Sequence, residues 1–85
     1  LNEELLKIDG MDKALLGICM TWNGHMLVER LVYNGRVITE ILIENGMSEE
    51  DAQEYIDFNI VGAYVGDSTP IVMWPATVEE LDERS

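Results

Sequence analysis

Two apolar runs in the first half of the chain flank an Asn-Gly pair: "ALLGICMTW" (Ala14 to Trp22), Asn23-Gly24, then "HMLVERLVY" (His25 to Tyr33). Asn-Gly between apolar runs is a strong hairpin signal, because both central residues of the tight turn need positive φ. The pattern predicts two antiparallel strands, Ala14–Trp22 and Leu27–Tyr33. Alternation in the first run is imperfect, and Met11 to Gly17 also fits a helix. After Asn34 the period changes. Val37, Ile38, Ile41 and Leu42 recur at helical spacing and make one apolar stripe. Asn34 can cap this helix, and Gly46 can close it in the left-handed conformation. Arg36 and Glu40 stand four apart on its outer side. Ile43 lies off the stripe, either as an ordinary exposed residue or as part of an interface.

"MSEEDAQEYIDFNIVG" (Met47 to Gly62) predicts the next helix. Ser48 is its N-cap, Asp51 takes the capping-box position, and Met47 can reach Ala52 as a hydrophobic staple. Glu49, Glu50 and Asp51 fill the first turn, where the helix dipole favours anions. Ala52, Tyr55, Ile56, Asn59, Ile60 and Ala63 share one face. The gap between the helices is so short that they must pair tightly. Thr69-Pro70 opens a last strand, Ile71–Trp74, and Pro75 ends it. A short helix from Asn2 through Ile8 is expected before Asp9-Gly10. In "ATVEELDERS", Thr77 and Glu80 match a capping box. That turn either docks through Val78 and Leu81 or frays. Together these elements predict an α+β fold: a small antiparallel sheet of three strands with two main helices on one face. Residues 1–75 form one domain, and 76–85 an acidic tail, helical or disordered.

Asn59 raises a question of its own, because it falls on the apolar face. A buried amide without partners costs roughly 1–3 kcal/mol, so Asn59 is expected to hold the backbone of the loop Gly62 to Thr69. Its replacement by alanine should then destabilise by that amount. Gly62 and Gly66 supply a helix exit and a left-handed turn, and Asp67 and Ser68 are turn formers. The functional alternative is a small anion or peptide site made by Asn59, Tyr64, Asp67 and Thr69. "GAYVGDST" is no phosphate loop, since it lacks the lysine and leads into a strand.

Composition narrows the function classes. The net charge is −12 and the pI about 4.1. Lys7, Lys13, Arg30, Arg36 and Arg84 are the only cations and form no cluster. Direct nucleic-acid binding and an anionic membrane surface are excluded on that ground. Apolar runs are broken by glycine or charge, so no segment spans a membrane. No signal peptide is visible, and the chain opens with Leu1 rather than Met, as a trimmed chain would. Cys19 is alone, which suits a reducing cytoplasm and a buried thiol acting as a small hydrophobe. His25, the one histidine, sits on the expected turn, so no nucleophile–base pair is read. "DGMDKALLG" fails the pattern of a calcium loop. Neither catalytic, metal nor cofactor residues are assigned.

"LVYNGRVITEILIENGMSEEDAQEYIDFNIVGAYVGDSTPIVMW" (Leu31 to Trp74) resembles a family of small uncharacterised proteins of tailed bacteriophages. The shared pattern is Val32-Tyr33, an Ile-Leu helix ending in Gly46-Met47-Ser48, then Glu50, Ala52 and Glu54, Phe58-Asn59, Gly62-Ala63-Tyr64-Val65-Gly66, and Thr69-Pro70. Asp9-Gly10 and Ala14 to Gly17 also match. Cys19 to Arg30 and the tail after Pro75 depart from it. The resemblance implies a phage origin and action in the cytoplasm of a bacterial host. It carries no activity to transfer.

The function expected is that of a non-catalytic accessory module that binds a host or phage protein, of basic character, with a homodimer as a further outcome. Trp22, Trp74, Met26, Met73 and Ile43 are core residues or, if exposed, an apolar interface. Ile43 and Trp74 are its candidate residues. The alternative is an acidic mimic of nucleic acid that blocks a host enzyme. Glu50, Glu54 and Asp57 lie on one helix face at steps of roughly 6 and 4.5 Å along the axis. A capped, solvated helix face explains the same three residues. A small-ligand protein or enzyme ranks below both.

Overall fold

A computed structural model describes residues 5–62 and 66–84. The elements run in the order 3-10 turn (Asp12–Ala14), β1 (Leu15–Asn23), β2 (Met26–Asn34), α1 (Gly35–Glu44), α2 (Glu49–Tyr55), a π-helical turn (Ile56–Val61), β3 (Ile71–Met73) and α3 (Val78–Arg84). The fold is α+β, with a three-stranded sheet of order β1-β2-β3.

The hairpin forms where the Asn-Gly pair predicts it, shifted by one residue. Asn23 pairs with Met26, so the turn residues are Gly24 and His25. Gly24 takes φ +64, and no described non-glycine residue has positive φ. A turn with positive φ at its first central residue alone follows the II′ pattern, which needs one glycine rather than Asn-Gly together. Leu15 opposes Tyr33 and Gly17 opposes Val32, leaving Leu16 as the extra residue of a bulge. The helical alternative for Met11 to Gly17 survives only as the 3-10 turn at Asp12–Ala14.

β3 corrects the all-antiparallel expectation. Val32, Tyr33 and Asn34 pair with Ile71, Val72 and Met73 in parallel. Between them the chain runs through α1, α2 and the π-helical turn. A strand reached by such a helical crossover returns in the same direction.

Local caps set the helices. The Asn34 Oδ1 accepts from the Arg36 N–H at 2.9 Å and the Val37 N–H at 3.4 Å. At the other end of α1, Gly46 N–H donates to Ile43 C=O and Met47 N–H to Leu42 C=O. These are the two bonds of a Schellman closure, and Gly46 has the positive φ (+109) that it requires. Ser48 Oγ accepts from the Asp51 N–H and starts α2 two residues later. The helix expected from Asn2 to Ile8 is not formed over residues 5–8, and Asn2 lies outside the described residues. The Asp9-Gly10 turn is present, closed by Met11 N–H to Ile8 C=O.

The core joins Met11, Ala14, Leu31, Tyr33, Ile38, Leu42, Ala52 and Ile56. Leu31 and Tyr33 alternate along β2 onto one sheet face, where they meet the α1 stripe and the α2 stripe. Tyr33 is fully buried, and its hydroxyl accepts from the Ile8 N–H at 3.0 Å. That bond ties the segment before the sheet to its centre. The tail is helical, and its capping box is reciprocal: Thr77 N–H donates to Glu80 Oε1 at 2.9 Å, and Glu80 N–H to Thr77 Oγ1 at 3.1 Å. Of the expected outcomes for the tail, the short helix is the one observed. Val78 and Leu81 are exposed in a formed helix, and α3 reaches α1 through Arg36–Glu80 at 3.5 Å.

Candidate protein-binding surface

α2 and the π-helical turn carry two stripes. Ala52, Ile56 and Ile60, four apart, face the core, the first two fully buried. Beside them run Asp51, Glu54, Tyr55 and Phe58 at helical spacing. With Met47 and Asn59 they line a shallow groove of about 350 Å³. Phe58 is 76 % exposed. An aromatic ring at that level leaves most of its apolar surface in water. The acids around it make the groove a place where an apolar side chain and a cation can be held together. A guanidinium can lie on the Phe58 or Tyr55 face while meeting Asp51 or Glu54.

The π-helical turn accounts for one correction. Gly62 N–H donates to Asp57 C=O, an i→i+5 bond. Such bonding widens the helix and puts more residues in each turn. A residue three places after Ile56 is then swung further from the stripe than an α-helix would place it. Asn59 is therefore exposed rather than buried, and an exposed amide meets water. The expected loss of 1–3 kcal/mol on Asn59→Ala loses its basis. Tyr55, the last residue of α2 and ahead of that turn, is exposed too, a correction that the turn does not explain. Ala63 lies outside the described residues.

The candidate loop site is only partly placed. Tyr64 lies outside the described residues. Asn59 lines the helix groove, whereas Asp67 lines clefts against the hairpin, one with Thr21, Trp22, Asn23, Arg30 and Gly66. Thr69 is buried, and its hydroxyl donates to Gly66 C=O. Its own C=O accepts from Arg30 Nε. Thr69 and Arg30 thus hold the loop, with Gly66 at φ +127, against β2.

Glu50, Glu54 and Asp57 are all exposed along one helical stretch and make no ion pair with a described residue. Ile43 and Trp74 are each 42 % exposed, but they do not form one patch. The Trp74 ring covers Gly35 at the start of α1. Ile43 is eight residues further on, roughly 12 Å along the axis. Cys19 is half-buried rather than buried, and stands opposite Arg30 on the hairpin. His25 is on the turn.

Phe58 and Tyr55 were legible as a stripe at i, i+3, i+4 and i+7 from Asp51, beside the apolar one. The signal was hidden because Tyr55 also fits the core face of a regular α-helix. No described group of His, Cys, Asp or Glu is placed to hold a metal ion, and no described helix is long and apolar enough to cross a membrane. Comparison of the chain with family models, with curated proteins and with solved structures finds no match.

Proposed function

We propose that this protein is a non-catalytic binding module whose partner is a protein segment carrying apolar and basic side chains. The observation that carries the reading is Phe58, 76 % exposed in a groove rimmed by Asp51 and Glu54. Burying such a ring contributes about 2 kcal/mol, and aromatic anchors of this kind dominate protein interfaces. The acids speed encounter with a basic partner and select against acidic ones. The resemblance to small phage proteins supports a host protein as that partner, in the bacterial cytoplasm.

A second reading rests on the exposed, unpaired Glu50, Glu54 and Asp57. As a nucleic-acid mimic, the protein would occupy the basic groove of a nucleic-acid enzyme. One experiment separates the two. The protein is immobilised, retained proteins are identified from a bacterial lysate, and affinity for the strongest is measured for Phe58→Asp and for a triple reversal of Glu50, Glu54 and Asp57 to Lys. The groove reading expects Phe58→Asp to weaken binding at least about tenfold, as loss of an anchor does. Mimicry expects the triple reversal to abolish binding and nucleic acid to compete. If neither variant changes affinity while Ile43→Asp does, the binding face is on α1 and both readings fail. Turnover of a nucleotide or peptide by the purified protein would contradict the non-catalytic reading itself.

A further inference from the structure

The outer strand of the sheet differs from the rest of the surface. β1, LLGICMTWN, carries neither charge nor proline. The uncharged run extends from Ala14 to Val28 in a chain of net charge −12. Among the described residues β2 is its one sheet neighbour, so its outer edge presents unpaired N–H and C=O groups. Proteins ordinarily blunt such an edge with charge, proline or a bulge. The bulge here lies at the start of the strand, between Leu15 and Gly17, and Gly17 to Asn23 keep regular register. Ile18, Met20 and Trp22, with Leu27 opposite Trp22, project from one face and are 49–71 % exposed.

We infer that β1 pairs antiparallel with β1 of a second copy about a two-fold axis at Cys19, joining two three-stranded sheets into one. Charge selects the face by which a second copy can approach, and the self-complementary strand selects the copy. The helices expose acids, including Glu40, Glu44, Glu50, Glu54, Glu79 and Glu83. Two chains of this charge repel each other least along the run that has none. Centring the axis on Cys19, the midpoint of β1, then fixes the register, because residues equidistant from it oppose one another. Within the regular stretch Ile18 meets Met20 of the second copy, so apolar side chains face apolar ones. On the opposite sheet face Gly17 meets Thr21 and Cys19 meets Cys19, small against small. Stable pairs begin at roughly 600 Å² buried per copy, which the paired strands and their apolar flanks have to supply.

The groove on α2 is a different face, so this pairing stands or falls apart from the binding reading. Sedimentation equilibrium of the 85-residue chain under reducing conditions, over a wide concentration range, should give twice the 9.6 kDa chain mass. Met20→Lys puts like charges beside the axis and should weaken association at least about 100-fold. Leu27→Lys, on β2 and away from the edge, should change it by less than about threefold. A short bis-maleimide should link the wild-type dimer through Cys19, and Cys19→Ser should abolish the link. A monomer at every concentration overturns the inference. So does a dimer that Cys19 cannot link, or one that Leu27→Lys separates as completely as Met20→Lys. If Met20→Lys loses its circular dichroism, the cross-link on the wild type decides. A monomer that still loses its captured protein on Phe58→Asp overturns the dimer alone, and a linked dimer indifferent to Phe58→Asp overturns the groove reading alone.

Discussion

A single missing side chain sets the join between β3 and α1. A Cβ at Gly35 would stand 2.7 Å from two atoms of the Trp74 indole. Those atoms belong to a rigid ring held between Met73 and Pro75, so the ring must move as a whole. Gly35→Ala gains up to about 1 kcal/mol of helix propensity, but overpacking costs about 1–3 kcal/mol, so net destabilisation of about 1 kcal/mol is expected in urea melts. A shift in tryptophan emission should accompany it. Trp74→Ala in the same chain should remove most of the penalty, since the two residues then no longer meet; an equal loss in both backgrounds would show that the indole is not the cause. Trp74→Ala therefore reports packing as well as any interface. None of this was legible in the sequence, because Gly35 and Trp74 meet only after the chain has run through two helices. The caps were legible for the opposite reason. Asn34, Gly46, Ser48 and the Thr77–Glu80 pair each satisfy backbone groups within a few residues of themselves, so their chemistry needs no tertiary context. Asn59 misled because its placement assumed an α-helical turn where the backbone has a π-helical one.

The three strands and the helices after Asn34 were recovered in kind for the same reason, while the helix expected to run through Ile8 and the direction of β3 were not. Parallel pairing follows from the crossover, which is a property of the path and not of "TPIVMW". The tail is the element most exposed to solution conditions. Glu80 sits below the ordinary glutamate value of 4.5, first because its carboxylate accepts from the Thr77 N–H, then because it bonds the Thr77 hydroxyl, with Arg36 adding to both. A carboxylate depressed on folding stabilises the helix above its unfolded value, and that contribution is lost as pH falls through the folded value. Helical chemical shifts of residues 78–84 should therefore hold from neutral pH down to about 4.5 and decay below it. Glu80→Gln keeps an acceptor for Thr77 and loses the titration, so its acid-induced decay should be flatter. Superimposable pH profiles for wild type and Glu80→Gln would remove Glu80 from the account, leaving α3 to be held by something other than its capping box.

At the scale of the whole molecule, −12 charges are confined to a body of 39 × 33 × 20 Å. The Debye length is about 30 Å at 0.01 M salt and about 8 Å at 0.15 M. At low salt every acid on one copy feels those on a second, and at physiological salt only near neighbours do. The two surfaces should then answer salt with opposite signs. Pairing through β1 brings two like-charged bodies together along an uncharged strand, so screening removes repulsion and tightens the dimer. Capture of a basic segment by Asp51, Glu54 and Phe58 draws opposite charges together, so screening slows encounter and weakens the complex. Raising sodium chloride from about 10 to about 150 mM should lower the dimer dissociation constant and raise that of the captured partner. Phe58→Asp deepens the charge of the groove and removes its anchor. What affinity remains in that variant should be steeper in salt than the wild type. If salt moves both associations in the same direction, charge does not separate the two faces, and the assignment of like to β1 and unlike to α2 is wrong.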